Sequence, residues 1–270
     1  MSDAKRALVT GASAGIGAAY AEALAAAGYD LVLVARRDDR LRELADTLHK
    51  ESSVKAEVLA ADLASDSGLA SVEAVLRSDP GVDFLVNNAG FGAYMPFAEL
   101  PPERAEELLR VQALAPTRLT RAALDPMLKR GNGTVVNVAS LLAFSGALPA
   151  PPLPHRATYA ATKAYLVAFT QLLASELKDS GIRLQVLCPG IVRTEFHEVQ
   201  GRDVSQIPSV SAEDIVTASL AGLERGDLVC IPTAEDNVVI DAWIAASTAT
   251  FATGRAPIAA RYRRAASGPG

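Results

Sequence analysis

Apolar residues in this chain come in short solid runs, separated by longer stretches in which they recur every three or four positions. Solid runs bounded by turn formers read as strands buried on both faces; the longer period reads as helices with one buried stripe. The runs fall at 5–10, 30–35, 54–61, 82–88, 133–140, 182–189 and 227–232. Helical stretches lie between them at 15–28, 38–50, 66–78, 101–129, 157–180, 212–225 and 236–252, and in the second of these Leu41, Leu44, Ala45 and Leu48 share one face. Regular alternation of strand and helix is the mark of βαβ units. It predicts an α/β fold with a doubly wound, mostly parallel seven-stranded sheet. No repeat, charge run or Ser/Gly linker divides residues 1–270, so a single domain is expected, with about 265–270 as a frayed tail.

Composition narrows the function classes. Of 270 residues, 50% are hydrophobic and 21% charged, enough for a substantial core. A net charge of -5 offers no positive field to nucleic acid. No apolar run reaches the ~20 residues needed to cross a bilayer, and the N-terminus lacks the pattern of a secretion signal. The expectation is a soluble cytoplasmic protein with neither nucleic acid nor membrane as partner. Cys188 and Cys230 each sit inside an apolar run, which suits buried packing rather than a disulfide framework, and no spacing suggests a metal site.

The first candidate chemistry is "VTGASAGIG", which follows the first strand and opens the first helix. Gly11, Gly15 and Gly17, with Ser13, Ala14 and Ile16 between them, let the backbone turn tightly against a phosphate at a helix N-terminus. This makes the expected fold Rossmann-type. The second strand ends in Arg36 and Arg37 rather than in a carboxylate. Guanidinium groups at that place bind a 2′-phosphate, whereas a carboxylate would bind the bare ribose, so the pair favours NADP(H) over NAD(H) unless both are simply solvated.

Together with "ADL" at 61–63, "NNAG" at 87–90, "NVAS" at 137–140, "YAATK" at 159–163 and "PGIVRT" at 189–194, the chain resembles the short-chain dehydrogenase/reductase family, in its compact branch. The resemblance implies that Asp62 and Leu63 flank the adenine and that Asn88, Ala89 and Gly90 wall the cofactor channel. It also implies that Pro189, Gly190, Val192 and Thr194 close over the nicotinamide. Tyr159 and Lys163, four apart on one helical face, would be the proton donor and the cation that tunes it and anchors the ribose. Ser140 would hold the substrate oxygen. A free phenol has a pKa of about 10, so an ammonium beside Tyr159, together with the positive charge of an oxidised nicotinamide, would be expected to bring it closer to neutrality.

The chain departs from that family in two places. Ser140 precedes Tyr159 by 19 positions, wider than the family spacing, and the added residues carry Pro149, Pro151, Pro152 and Pro154. This loop is expected to be stiff and to overhang the substrate. Gln112 stands where many members have an asparagine that holds a water beside the lysine. Phe91, Met95, Leu141, Leu142, Phe144, Leu148, Leu153 and the 195–210 segment suggest an apolar pocket for a ketone or aldehyde. His155 in the loop is given no catalytic role. Two readings remain: an NADP(H)-dependent carbonyl reductase, reversible as an alcohol dehydrogenase and assembled as a homodimer or homotetramer, and a dinucleotide-binding protein without turnover.

Overall fold

The computed structural model describes residues 5–79, 81–196, 201 and 206–263. Positions 197–200 and 202–205 of the expected pocket segment, and the expected tail at 265–270, lie outside the described residues.

The strands are β1 Arg6–Thr10, β2 Asp30–Ala35, β3 Ala56–Ala60, β4 Phe84–Asn87, β5 Gly133–Val138, β6 Ile182–Leu187, β7 Val192–Arg193, β8 Val210–Ser211 and β9 Val229–Cys230. The α-helices are α1 Gly15–Ala26, α2 Asp38–Ser52, α3 Asp66–Arg77, α4 Pro102–Leu109, α5 Ala115–Arg130, α6 Ala157–Glu176, α7 Ala212–Arg225 and α8 Val238–Ala252. Seven strands form one parallel sheet in the order β3-β2-β1-β4-β5-β6-β9. Chain direction through the sheet reverses between β1 and β4, so a crevice opens there at the carboxyl ends of the strands.

Each face of the sheet has its own core. Ala7 and Val9 of β1 pack with Tyr20, Leu24, Leu41 and Ile215 on one side, while Leu8 packs with Leu69, Val72, Leu119 and Met127 on the other. The alternation follows from the two-residue period of a strand, and burial on both faces explains the unbroken apolar runs. The chain divides into two compact units, residues 1–233, which hold the whole sheet, and residues 234–270. The second unit carries α8, whose apolar residues are spread around the helix rather than gathered in a stripe, followed by short 3-10 turns.

The helix expected at 101–129 is interrupted. Residues Arg110–Leu114 form a π turn between α4 and α5. Pro116 explains the break: it has no N–H to give the Gln112 carbonyl four residues back, and its ring crowds that carbonyl. The strand expected at 227–232 is reduced to Val229–Cys230. A second, two-stranded sheet pairs Val192 with Val210 and Arg193 with Ser211.

A buried polar ladder fixes the elements that carry the candidate site. Asn87 Nδ2 donates to Asn137 Oδ1 at 2.9 Å and to Thr120 at 3.0 Å, and Asn137 Nδ2 donates to Thr170 at 2.9 Å. Strands β4 and β5 are thereby tied to α5 and α6 through groups hidden from water. Replacing Asn137 by alanine removes the central rung, leaving the Asn87 amide only Thr120 and the Thr170 hydroxyl only its bond to Leu166 O at 2.7 Å. The expected loss is about 1–3 kcal/mol of unfolding free energy, measured by urea denaturation.

Candidate active site

The turn from β1 into α1 shows why its glycines are glycines. A Cβ on Gly11 would lie 2.7 Å from Asn88 Nδ2 and 2.9 Å from Ala89 Cα, and one on Gly17 would strike the Gly11 carbonyl oxygen. Gly11 and Gly15 also adopt positive φ, +69° and +56°. Thr10 draws the "NNAG" segment against this turn: its hydroxyl accepts from the N–H of Asn88 at 2.9 Å and of Ala89 at 3.1 Å, and Asn88 Nδ2 donates back to Thr10 O at 2.9 Å. Helix α1 begins at Ala14 with no side-chain cap and no acidic residue in its first turn. Its leading N–H groups therefore face a cradle that suits an anion. Ser13 supplies a hydroxyl beside Arg37, whose Nη2 and Nε lie 2.8 and 3.1 Å from it. Uncapped helix, glycine cradle, hydroxyl and guanidinium together fit a dinucleotide phosphate.

The flanking residues divide between contact and support. Asp62 is exposed, with Oδ1 accepting from Ala64 N at 3.0 Å, whereas Leu63 turns its side chain into the core beneath the sheet. Val192 is likewise a core residue. Pro189 is buried and accepts Leu141 N at 2.9 Å; Gly190 adjoins Leu141, and Thr194 packs its methyl on Gly15. Ile16 is half-buried against the same core as Val192. Arg36 is 63% exposed and lies 3.5 Å from Glu107, so Arg37 is the arginine that reaches the phosphate turn.

Ser140 follows β5 and caps a 3-10 turn, its Oγ accepting from Leu142 N at 3.2 Å. The buried Tyr159 hydroxyl is hydrogen-bonded to both Ser140 and Tyr94. One turn further along α6, Lys163 is buried, with Nζ donating to Val138 O at 2.8 Å and standing 5.6 Å from the Tyr159 ring centroid. Structure thus brings Ser140, Tyr159 and Lys163 together. Burial dominates the electrostatics of the phenol. Burial holds the Tyr159 phenol well above its ordinary range, Tyr94 adds to this, and the Ser140 hydrogen bond opposes it. Lys163 turns its ammonium to the Val138 carbonyl, and burial lowers its own pKa to about 8. Cys188, pushed up by burial to about 12, and Cys230 are free thiols on neighbouring strands.

Gln112 is fully buried in the π turn, its Nε2 donating to Phe91 O at 2.6 Å and its Oε1 lacking any hydrogen-bond partner. A Cβ on Gly90 would lie 3.4 Å from that oxygen. Gln112 therefore anchors the loop after β4. Around Tyr159, Phe91, Tyr94, Leu142 and Phe196 pack with Ala93, Leu100 and Leu108 to form an aromatic-rich wall. Phe144 and Leu153 are half-buried, Leu141 lies under Gly190, and Met95 and Leu148 are exposed, outside that wall.

Tyr94 and Arg156 had no signal in the sequence, whereas Glu195 and Phe196 fall in the 195–210 segment expected to line the pocket. Arg156 is buried and, among the described residues, has no carboxylate within ion-pair distance. It instead donates to Ser145 Oγ at 2.7 Å, to the carbonyls of Ser145 and Leu148 at 2.8 Å and to that of Pro154 at 2.9 Å. It staples the Pro-rich insertion shut three residues before Tyr159.

A family model described as short chain dehydrogenase matches residues 5–204. The chain belongs to the short-chain dehydrogenase/reductase family. Among solved members, a short-chain dehydrogenase from Sphingobium yanoikuyae in complex with NADPH is 37% identical with a TM-score of 0.89, covering 96% of this chain and 100% of that one. The bulky-bulky ketone specific alcohol dehydrogenase from Comamonas testosteroni is 34% identical with a TM-score of 0.85, covering 96% of this chain and 98% of its own. The very-long-chain 3-oxoacyl-CoA reductase of Mus musculus is 34% identical over 198 residues, which make up 72% of this chain and 61% of that protein.

Lys163 gives a signed pH dependence. Between its folded value of about 8 and its ordinary 10.5, the unfolded chain holds the extra proton, so stability rises with pH. From about pH 9 upward Cys188 opposes this, because the unfolded thiol ionises first. Stability of the free protein should therefore climb from about pH 8 to 9, by at most about 1 kcal/mol. In Lys163→Met the climb should vanish, as read from urea midpoints across that window.

Proposed function

We propose that this chain is an NADP(H)-dependent oxidoreductase of the carbonyl reductase type, interconverting an apolar ketone or aldehyde and the corresponding alcohol. The observation that carries the reading is the meeting of Ser140, Tyr159 and Lys163 at the carboxyl end of β5, beside a cradle that fits a dinucleotide. The NADPH bound in the 37%-identical neighbour, and the ketone named for the Comamonas enzyme, support the cofactor and the substrate class. Bound NADPH supplies the hydride for the carbonyl carbon. Ser140 Oγ donates to the substrate oxygen and fixes it near Tyr159. Tyr159 keeps its proton on Oη, since burial disfavours phenolate, and gives it to the oxygen as negative charge develops there. Lys163 holds a proton on Nζ below about pH 8 and adds a buried positive charge one helical turn away. Among the arginines after β2, Arg37 and Arg36 would receive the 2′-phosphate, Arg37 first.

The aromatic-rich wall of Phe91, Tyr94, Leu142 and Phe196 argues for a hydrophobic acceptor. Helices α4 to α6 present Leu109, Leu114, Tyr165 and Leu172 to solvent, which supports assembly through a second copy as a homodimer or homotetramer. No described helix is long and apolar enough to cross a membrane, and the two thiols are free, in keeping with a cytoplasmic setting.

The test is NADPH consumption against a mixed panel of ketones and aldehydes. Wild type should reduce apolar ketones, and Tyr159→Phe should lower turnover by about 10²-fold or more while still binding NADPH. A wild type that binds NADPH and reduces nothing across the panel would make the non-catalytic reading the better one. Arg156→Ala should reorder the ketone preferences, because the insertion loses its staple, while NADPH affinity stays within about twofold; equal change in both would show that the loop serves the fold rather than the acceptor.

A further inference from the structure

The segment after β7 places a carboxylate on the arginines that follow β2. Glu195 Oε1 lies 2.5 Å from Arg37 Nη1, and Glu195 Oε2 lies 2.6 Å from Arg40 Nη1. The other nitrogens of Arg37 grip Ser13 of the phosphate turn. One carboxylate, each oxygen on a separate guanidinium, thus closes a ring from the phosphate turn across the β2–α2 junction to the strand that flanks Thr194. Arg36, facing Glu107, stands apart from this ring. Arg37 and Glu195 are partly buried, whereas Arg40 is exposed and its contact with Glu195 is open to solvent screening.

We propose that Glu195, its other oxygen held by Arg40, occupies the place on Arg37 which the 2′-phosphate of NADP(H) takes, and that it thereby sets the affinity for NADP(H) and its preference over NAD(H). The inference rests on the cofactor reading above. Two anions cannot share the same guanidinium donors without strong repulsion, so a 2′-phosphate must displace the carboxylate, whereas a bare 2′-hydroxyl need not. In the free protein the carboxylate holds the arginines in place and offsets their mutual repulsion. Affinity for a 2′-phosphate is lowered in return.

Titration with adenosine 2′,5′-bisphosphate and with 5′-AMP, followed by calorimetry without turnover, separates the alternatives. Glu195→Gln should tighten the bisphosphate about five- to thirty-fold, the factor for one competing charge-assisted contact, and leave 5′-AMP within about twofold. The gain should disappear when Arg37→Met is present as well, since the two residues act on one contact. Unchanged or weaker bisphosphate binding by Glu195→Gln, in a wild type that does bind it, would overturn this inference alone and make Glu195 an organiser of the arginines. A wild type that binds bisphosphate no better than 5′-AMP would overturn the NADP(H) reading and this inference with it.

Discussion

The end of β1 and the end of β4 approach so closely that no side chain fits between them, and the rest of the site is arranged around that contact. Thr10 enforces it by accepting two successive N–H groups from Asn88 and Ala89 while donating to Val86 O at 3.2 Å. Gly11 is the consequence, because any Cβ there would collide with Asn88 and Ala89. Once the two strand ends are locked, α1 must start directly beneath the crevice, and its uncapped N-terminus becomes the positive end of a prepared anion site. Gly17 and the Thr194–Gly15 contact extend the same close packing to the helix and to the segment after β6. Cofactor fit and sheet topology are therefore one constraint seen from two sides.

Burial then decides the chemistry available at the other end of the crevice. Asn87 and Asn137 line up their side-chain amides between Thr120 and Thr170 under the strand ends, with Asn87 Oδ1 left buried and unpartnered. They hold β5 and α6 at a fixed spacing, and with it Ser140 against Tyr159. In a site this dry, a phenol stays protonated and an ammonium gives up its proton more readily, which is what Tyr159 and Lys163 show. The same desolvation keeps the proton on the Tyr159 phenol in the free protein. A lysine near the middle of its titration at about pH 8 is also a group whose charge responds to whatever binds beside it.

Much of this was legible in the sequence, for identifiable reasons. Strands buried on both faces leave solid apolar runs, so all seven strands of the main sheet were located, and glycine spacing marked the phosphate turn because the close approach admits nothing larger. Strands β7 and β8, at two residues each, are too short to carry a period. The π turn hid inside a helical pattern because one proline at 116 is compatible with an unbroken helix until the neighbouring carbonyl is counted. The sequence pointed to the lysine beside Tyr159 but carried no sign of Tyr94, whose hydroxyl also meets the phenol. Contacts such as Glu195 with Arg37, 158 positions apart, have no local signature at all.

The Pro-rich insertion shows how one buried charge can fix the shape of a loop. A buried guanidinium without a carboxylate is expensive unless carbonyls surround it, and Arg156 is met by three carbonyls and a hydroxyl. Those acceptors all belong to residues 145–154, so the charge is satisfied only when the loop is closed around it. Loop shape is thereby tied to a residue that is three positions from Tyr159 and at the start of the same helix. Any change that opens the loop exposes a buried charge to unpaired surroundings, which favours one closed conformation over many. The prolines lower the entropy lost in reaching it. The aromatic rings against Tyr159 form a separate apolar cluster of Phe91, Tyr94, Leu142 and Phe196, whose packing likewise favours one arrangement.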